Sequence, residues 1–211
     1  MSVEPVEDPL QSRDPWKVQA PGDRPGGEEY AALLEALRLL QDRVVEATPP
    51  RAEIVDLIAQ LNAVSEKLAQ WGVSEWERWA GRRGDLPGRG STLLPPAIVT
   101  SETENELRGR VHFQSFHLGG NGAAHGGTVP LIFDDLLGRL VNTRFSGRAR
   151  TAYLTVNYRK ITPIGVDLSF DVRLDRVEGR KRWASGRILN PAGDLLCDAE
   201  GLFVELRPGQ P

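Results

Sequence analysis

The run Asn121-Gly-Ala-Ala-His125-Gly126-Gly127, followed by an apolar stretch that carries Asp134, holds residue types that could do chemistry together. Glycines at a helix entrance leave backbone N–H groups without intrahelical partners. Such groups attract negative charge, and the missing side chains let a ligand approach the backbone. A developing oxyanion could be received there. A carboxylate about two and a half helical turns further on could act as a general base or a nucleophile on the same substrate.

Laid on a helix at about 100° per residue, residues 128 to 144 put Val129, Ile132, Phe133, Leu136, Leu137, Leu140 and Val141 on one broad face. A helix this apolar is expected to be wrapped by other structure. Asp135, Arg139 and Asn142 gather on the opposite side, where Asp135 and Arg139, spaced i,i+4, read as a solvated pair. Asp134 falls at the flank of the apolar face beside Leu137, Gly138 and Val141, where partial burial is expected. Of the two adjacent acids, Asp134 is therefore the chemical candidate. The alternative is that it is an ordinary boundary residue, and the glycine entrance tips the balance.

The elements that must hold these residues change period twice. From Glu28 to Ala47, Tyr30, Leu33, Leu34, Leu37, Leu40, Val44 and Val45 recur at helical spacing until Pro49-Pro50 breaks the pattern. A second helix is expected from about Arg51 to Gln70, with Ile54, Leu57, Ile58, Leu61, Val64 and Leu68 on its face, followed by a Trp-rich piece. The two helices, residues 28–80, read as a hairpin arm for packing or oligomerisation. Residues 81–96, interrupted by Gly81, Gly84, Gly88 and Gly90, read as a linker. Beyond it the period becomes two. A strand is expected over Arg110 to Phe116, then the glycine entrance and the helix. Alternation then marks Ala152 to Arg159, Leu168 to Leu174, Lys181 to Leu189 and Leu195 to Leu206, the last two joined by the turn Asn190 to Asp194. One helix cradled by a curved antiparallel sheet satisfies both patterns, giving an α+β fold.

Composition sets the outer bounds. The 211 residues, 40% of them hydrophobic, suffice for one compact core plus an extension. A net charge of −3 gives no reason to expect nucleic acid. The single cysteine, Cys197, excludes an internal disulfide framework, and three unclustered histidines argue against a structural zinc. No apolar run approaches the length of a membrane span. Residues 1–27, acidic and rich in Pro and Gly, are expected to be loosely packed, with no basic start or apolar core of a leader; a cytoplasmic protein is expected.

At this point the chain resembles a known family. His125-Gly126-Gly127, Asp134 nine residues after the histidine, Val156-Asn157-Tyr158 and Gly165 are similar to the pattern of the hotdog-fold thioesterases of the PaaI and thioesterase-superfamily-member type, over roughly residues 97–207. The resemblance implies hydrolysis of acyl-coenzyme A by a homodimer or dimer of dimers with sites between subunits. It implies no metal or redox cofactor, coenzyme A being part of the substrate. It implies that the Gly126 N–H polarises the thioester carbonyl and that Asp134 of the facing subunit activates water or attacks directly. Thr151 would help hold the water, and His125 would orient the thioester or shape the turn. Gly119 stands where related enzymes often have Asn or Gln, with Asn121 as a nearby replacement, and Ile161 stands where many have Pro. Gly127, Arg159 and Lys160 are the candidates for contact with the coenzyme A moiety, Arg148 and Arg150 also flank the site, and Arg180-Lys181-Arg182 reads as a solvated hairpin. Two other readings stay open, an enoyl-CoA hydratase using His125 with Asp134 and a non-catalytic acyl-CoA-binding or scaffold protein.

Overall fold

The structure, a computed structural model, describes residues 24–145, 147–207 and 209–210. Most of the segment expected to be loosely packed, residues 1–23, lies outside the described residues.

The apolar run after the glycines forms helix α3, Thr128–Thr143, following helices α1, Gly27–Glu46, and α2, Arg51–Ala69. Among the described residues there are eight strands: β1 Ala97–Glu102, β2 Glu106–His112, β3 Leu118–Gly120, β4 Ala123–Ala124, β5 Ala149–Tyr158, β6 Asp167–Glu178, β7 Lys181–Leu189 and β8 Leu195–Glu205. Six of them make one antiparallel sheet in the order β1-β2-β6-β7-β8-β5, and β3 pairs with β4 beside it. The strand expected over Arg110 to Phe116 lies earlier, and β1, which pairs with it, gave no alternation strong enough to be read. Its outer residues are exposed, so the chain never needed an apolar alternation there.

The sheet curls around α3, whose Val129, Ile132, Phe133, Leu136, Leu137, Leu140 and Val141 are all buried as the spacing requires. They meet Leu168, Phe170 and Val172 of β6, Ala184 and Ile188 of β7, and Ala199 and Phe203 of β8. Gly186 makes this approach possible. A Cβ there would stand 2.6 Å from Val172 and 3.1 Å from the Phe133 ring, so no side chain fits without displacing the helix or the next strand. Arg182 caps the far end. Instead of lying solvated in the hairpin it is 1% exposed, and its Nη1 donates to the carbonyls of Val141 and Gly147 at 2.9 Å. A cation at the last turn of a helix satisfies open carbonyls and opposes the helix dipole.

The N-terminal region contains the two expected helices, which differ in their surroundings. α1 docks through Leu34, Arg38 and Asp42. The Asp42 carboxylate accepts from the Phe116 N–H at 3.0 Å and from Gln114 at 3.3 Å. α2 buries none of its residues.

The glycine-rich stretch read as a linker is pinned at many points. Arg38 donates to the carbonyls of Ser91 at 2.7 Å and Leu94 at 3.0 Å, and the Tyr30 hydroxyl donates to the Gly90 carbonyl at 3.0 Å. Arg83, wholly buried, donates to the carbonyls of Pro25 and Gly27 and pairs with Asp85. Burial of Arg38 and Arg83 is tolerable because their donors find carbonyl or carboxylate partners. The segment is a strap across α3.

Candidate active site

Two clusters hold the catalytic candidates singled out in the sequence. The first is the turn before α3. The His125 N–H donates to the His117 carbonyl at 2.7 Å, closing the β3–β4 loop, and Asn121 takes a left-handed φ of 48° at its exposed tip. Asn121 therefore shapes the loop and makes no bond to Asp134. Gly119 has a steric reason. A Cβ there would lie 2.8 Å from the His125 Cα, so the Asn or Gln common at this place in related enzymes does not fit this loop.

Within the turn the backbone donors divide. The Gly127 N–H donates to His125 Nδ1 at 3.0 Å, and the Thr128 N–H to the His125 carbonyl at 2.9 Å. The Gly126 N–H donates to no described residue. On its other side the Gly126 carbonyl accepts from the Tyr158 hydroxyl at 2.6 Å. Burial, aided by the nearby Cys197, raises the phenol pKa, so Tyr158 keeps its proton. His125 thus fixes Gly127, Tyr158 fixes Gly126, and one N–H is left for a ligand. With Nδ1 accepting, a neutral His125 carries its proton on Nε2.

The second cluster lies further along α3. Asp134 is exposed, and its Oδ1 accepts from the Thr151 hydroxyl of β5 at 2.7 Å, leaving Oδ2 open. The start of β5 is fastened to the helix a second time, the Asn142 Oδ1 accepting from the Ala149 N–H at 2.8 Å. The expected burial of the two acids is reversed. Asp135, read as solvated beside Arg139, is the buried one and binds Arg89 of the strap, whose Nε and Nη2 donate to Oδ1 at 2.9 Å and 2.6 Å. Desolvation raises the Asp135 pKa and the Arg89 charge works against that rise. Arg89 reaches it from a left-handed φ of 54°, between Gly88 at 61° and Gly90 at 77°. The strap, invisible to a reading of one helix's periodicity, decides which acid is covered.

A cavity of about 490 Å³ opens beside this cluster, bounded by Asp134, Thr151 and Gly138 on one side and by Gly81, Arg89 and Leu93 of the strap on the other. Arg159 and Lys160 do not line it. Arg159 pairs with Asp198 at 2.6 Å, which also depresses the Asp198 carboxyl, and Lys160 pairs with Asp194 at 2.8 Å. Arg148 and Arg150 do line it.

Within one chain the two clusters stay apart: Gly126 precedes α3, and Asp134 lies six residues beyond the first helical residue, Thr128, roughly 9 Å of rise. Cys197 is no alternative nucleophile. Burial pushes its thiol up to about 11, and it sits in the core accepting from the Thr162 hydroxyl. Among the described residues no group of three His, Cys, Asp or Glu could hold a metal ion, and no helix is long and apolar enough to cross a membrane.

A long helix held in a curled antiparallel sheet, with a glycine turn at its start, is the hotdog fold. A solved structure of a thioesterase superfamily protein matches with a TM-score of 0.71 at 26% identity, covering 83% of this chain and 94% of that one. Acyl-coenzyme A thioesterase THEM4 of Xenopus laevis is 32% identical over 88 residues, 41% of this chain and 39% of that protein. THEM4 of Mus musculus is 31% identical over 114 residues, 54% of this chain and 47% of that protein. The chain thus spans less than half the length of these curated relatives. A Streptococcus mutans protein solved with acetyl CoA bound shares the fold at 18% identity and a TM-score of 0.50, over 52% of this chain and 88% of that one. No protein-family model matches the chain. These likenesses bear out the resemblance to the hotdog-fold thioesterases read from the motif.

Proposed function

We propose that this protein hydrolyses acyl-coenzyme A thioesters to the free acid and coenzyme A, in a site completed by a second copy of the chain. The observation that carries the chemistry is the division of labour in the two clusters. One uncommitted N–H, that of Gly126, stands at a helix start, where it suits the oxygen of a thioester carbonyl as it gains negative charge. One carboxylate, Asp134, has an oxygen held by Thr151 and the other open to a water or a carbonyl carbon. As a base, Asp134 takes the proton of the attacking water. The tetrahedral intermediate then collapses with loss of coenzyme A thiolate, which gains a proton. As a nucleophile, Asp134 attacks the carbonyl carbon and expels the coenzyme A thiolate, which gains a proton, and water opens the resulting acyl anhydride to the free acid and the Asp134 carboxylate. Either way no metal or redox group is called for.

The second copy supplies what one chain lacks, a Gly126 N–H within reach of Asp134. β5, which carries Thr151, is an edge strand of ten residues, and such an edge offers unpaired backbone groups to another strand. The THEM4 relatives carry thioesterase in their names, and the neighbour solved with acetyl CoA shares the fold; both support the reading. The assay is thiol release from a panel of acyl-CoAs. Asp134→Ala is expected to lose about 10²- to 10⁴-fold in kcat while keeping its fold. Full activity in a folded Asp134→Ala would overturn the mechanism. Hydration of crotonyl-CoA without thiol release would replace it with the hydratase reading.

A further inference from the structure

We propose that the cleft between the strap and α3 is a subsite for an anionic group of the ligand, gripped by Arg78 and Arg150 beside the Asp134–Thr151 pair. The proposal takes its class of ligand from the thioesterase reading and its charge from the cleft.

Four arginines line the cavity, Arg78, Arg89, Arg148 and Arg150, against two carboxylates, Asp134 and Asp135. Arg89 is committed to Asp135 at 2.6 Å, and Asp134 has one oxygen on Thr151. The side chains of Arg78 and Arg150 have no ion pair or hydrogen bond among the described residues, so two guanidinium groups face the cleft with positive charge unspent. A guanidinium forks onto carboxylate or phosphate through paired N–H donors, and the matching ligand is an oxyanion. At about 490 Å³ the cavity has room for such a group with several methylenes attached. Leu93, Leu94, Leu131 and Phe203 line it as well, so the ligand that fits is amphiphilic.

Arg78 is placed by a fixed backbone. The turn before it is capped reciprocally, with the Ser74 hydroxyl donating to Glu77 at 2.7 Å, and its neighbour Trp79 packs edge-on against Tyr30 at 5.2 Å. Arg150 sits on β5 next to Thr151. One cation thus comes from the turn just before the strap and one from the sheet. The oxyanion has two sources in an acyl-coenzyme A: a carboxylate at the far end of the acyl chain, or the phosphates of coenzyme A.

The test is calorimetric titration of the full chain with coenzyme A, butyryl-CoA, glutaryl-CoA and glutarate. Wild type is compared with Arg78→Gln, Arg150→Gln, Arg150→Lys and the remote control Arg173→Gln, each checked for an unchanged melting temperature. The expected result is a rise in Kd of about tenfold in each Gln variant, partly restored in Arg150→Lys and absent in the control. Loss confined to glutaryl-CoA and glutarate identifies the acyl carboxylate; equal loss for coenzyme A and both thioesters identifies the phosphates. Unchanged Kd values in the folded variants, or no binding of any probe to wild type, would overturn the subsite. Thiol release measured in parallel separates the two claims. Hydrolysis with unchanged Kd values removes only the subsite, and arginine-dependent binding without hydrolysis removes only the thioesterase reading.

Discussion

Helices α2 and α3 carry apolar residues at the same spacing and end in opposite surroundings. In α3 every residue of the apolar face is at most 2% exposed, while in α2 Ile54, Leu57, Ile58, Leu61, Val64 and Leu68 are 42% to 53% exposed. Periodicity states that a face needs covering; it does not state what covers it. For α3 the cover is local in the fold, the strands β5 to β8, which the same stretch of sequence supplies. No described residue covers the stripe of α2. The difference also separates two kinds of charge. Asp135 of α3 is buried and paired with Arg89, and Arg182 is buried at the end of the helix, whereas Arg43–Glu46 near the end of α1 is a solvated pair.

The largest test of this contrast is truncation of a matching residue on each helix. Phe133→Ala should cost about 3–5 kcal/mol in unfolding free energy, because the residue is wholly buried and leaves a cavity against Gly186. Leu61→Ala should cost under about 0.5 kcal/mol. A denaturant titration in which the two variants shift alike would break the contrast and mean that the α2 stripe is covered in solution.

Next in size is the pair at the strap. Arg89→Met strands a buried carboxylate and should cost about 3 kcal/mol, against roughly 0.3 kcal/mol for Arg43→Ala on α1. Thermal melts of the two variants, with Asp135→Asn in the Arg89→Met background as partial rescue, check this. Failure of that rescue would mean the strap is held by its other ties.

His117 gives a pH-dependent effect. It is 3% exposed, its Nδ1 accepts from the Gln114 N–H at 2.9 Å, and burial, aided by Arg38, lowers its pKa to about 4 from 6.5. The unfolded chain therefore takes up a proton that the folded one refuses between those values. The neutral ring's contribution is present in full above about 6.5 and is lost as pH falls toward about 4. Urea midpoints should drop across that window in wild type and drop less in His117→Gln. Equal slopes would show that other groups govern the acid limb.

The smallest effect sharpens the site itself. Tyr158→Phe removes the bond to the Gly126 carbonyl and should lower kcat several-fold with KM little changed, at about 1 kcal/mol or less of stability. A change in KM alone would give Tyr158 a binding role instead.

Much of this molecule is legible in the sequence where the signal is local. The 3.6-residue period set α3 to within a residue, and alternation set β7 at Lys181–Leu189 as expected. The interest of Asp134 and Thr151 was legible through a resemblance, though not the bond between them, since nothing local links residues 17 apart. The fate of Asp135 was not. A helical wheel ranks flanks by the apolar residues of the same helix, but its cover comes from Arg89, 46 residues away, on glycine-punctuated chain that reads as linker. Arg182 was misread for the same reason. Its partners, Val141 and Gly147, lie at the far end of α3, and a run of three basic residues in a turn gives no hint of them.

The anchoring of α1 has a consequence for the order in which the chain matures during synthesis. Its carboxylate Asp42 is satisfied by the Phe116 N–H, 74 residues later. At bacterial or eukaryotic elongation rates that interval is roughly 4 to 15 s. Arg38 waits less long, since its partners Ser91 and Leu94 are made 53 and 56 residues after it. Of the described helices α1 is made first, yet its anchoring is completed only by residues far downstream.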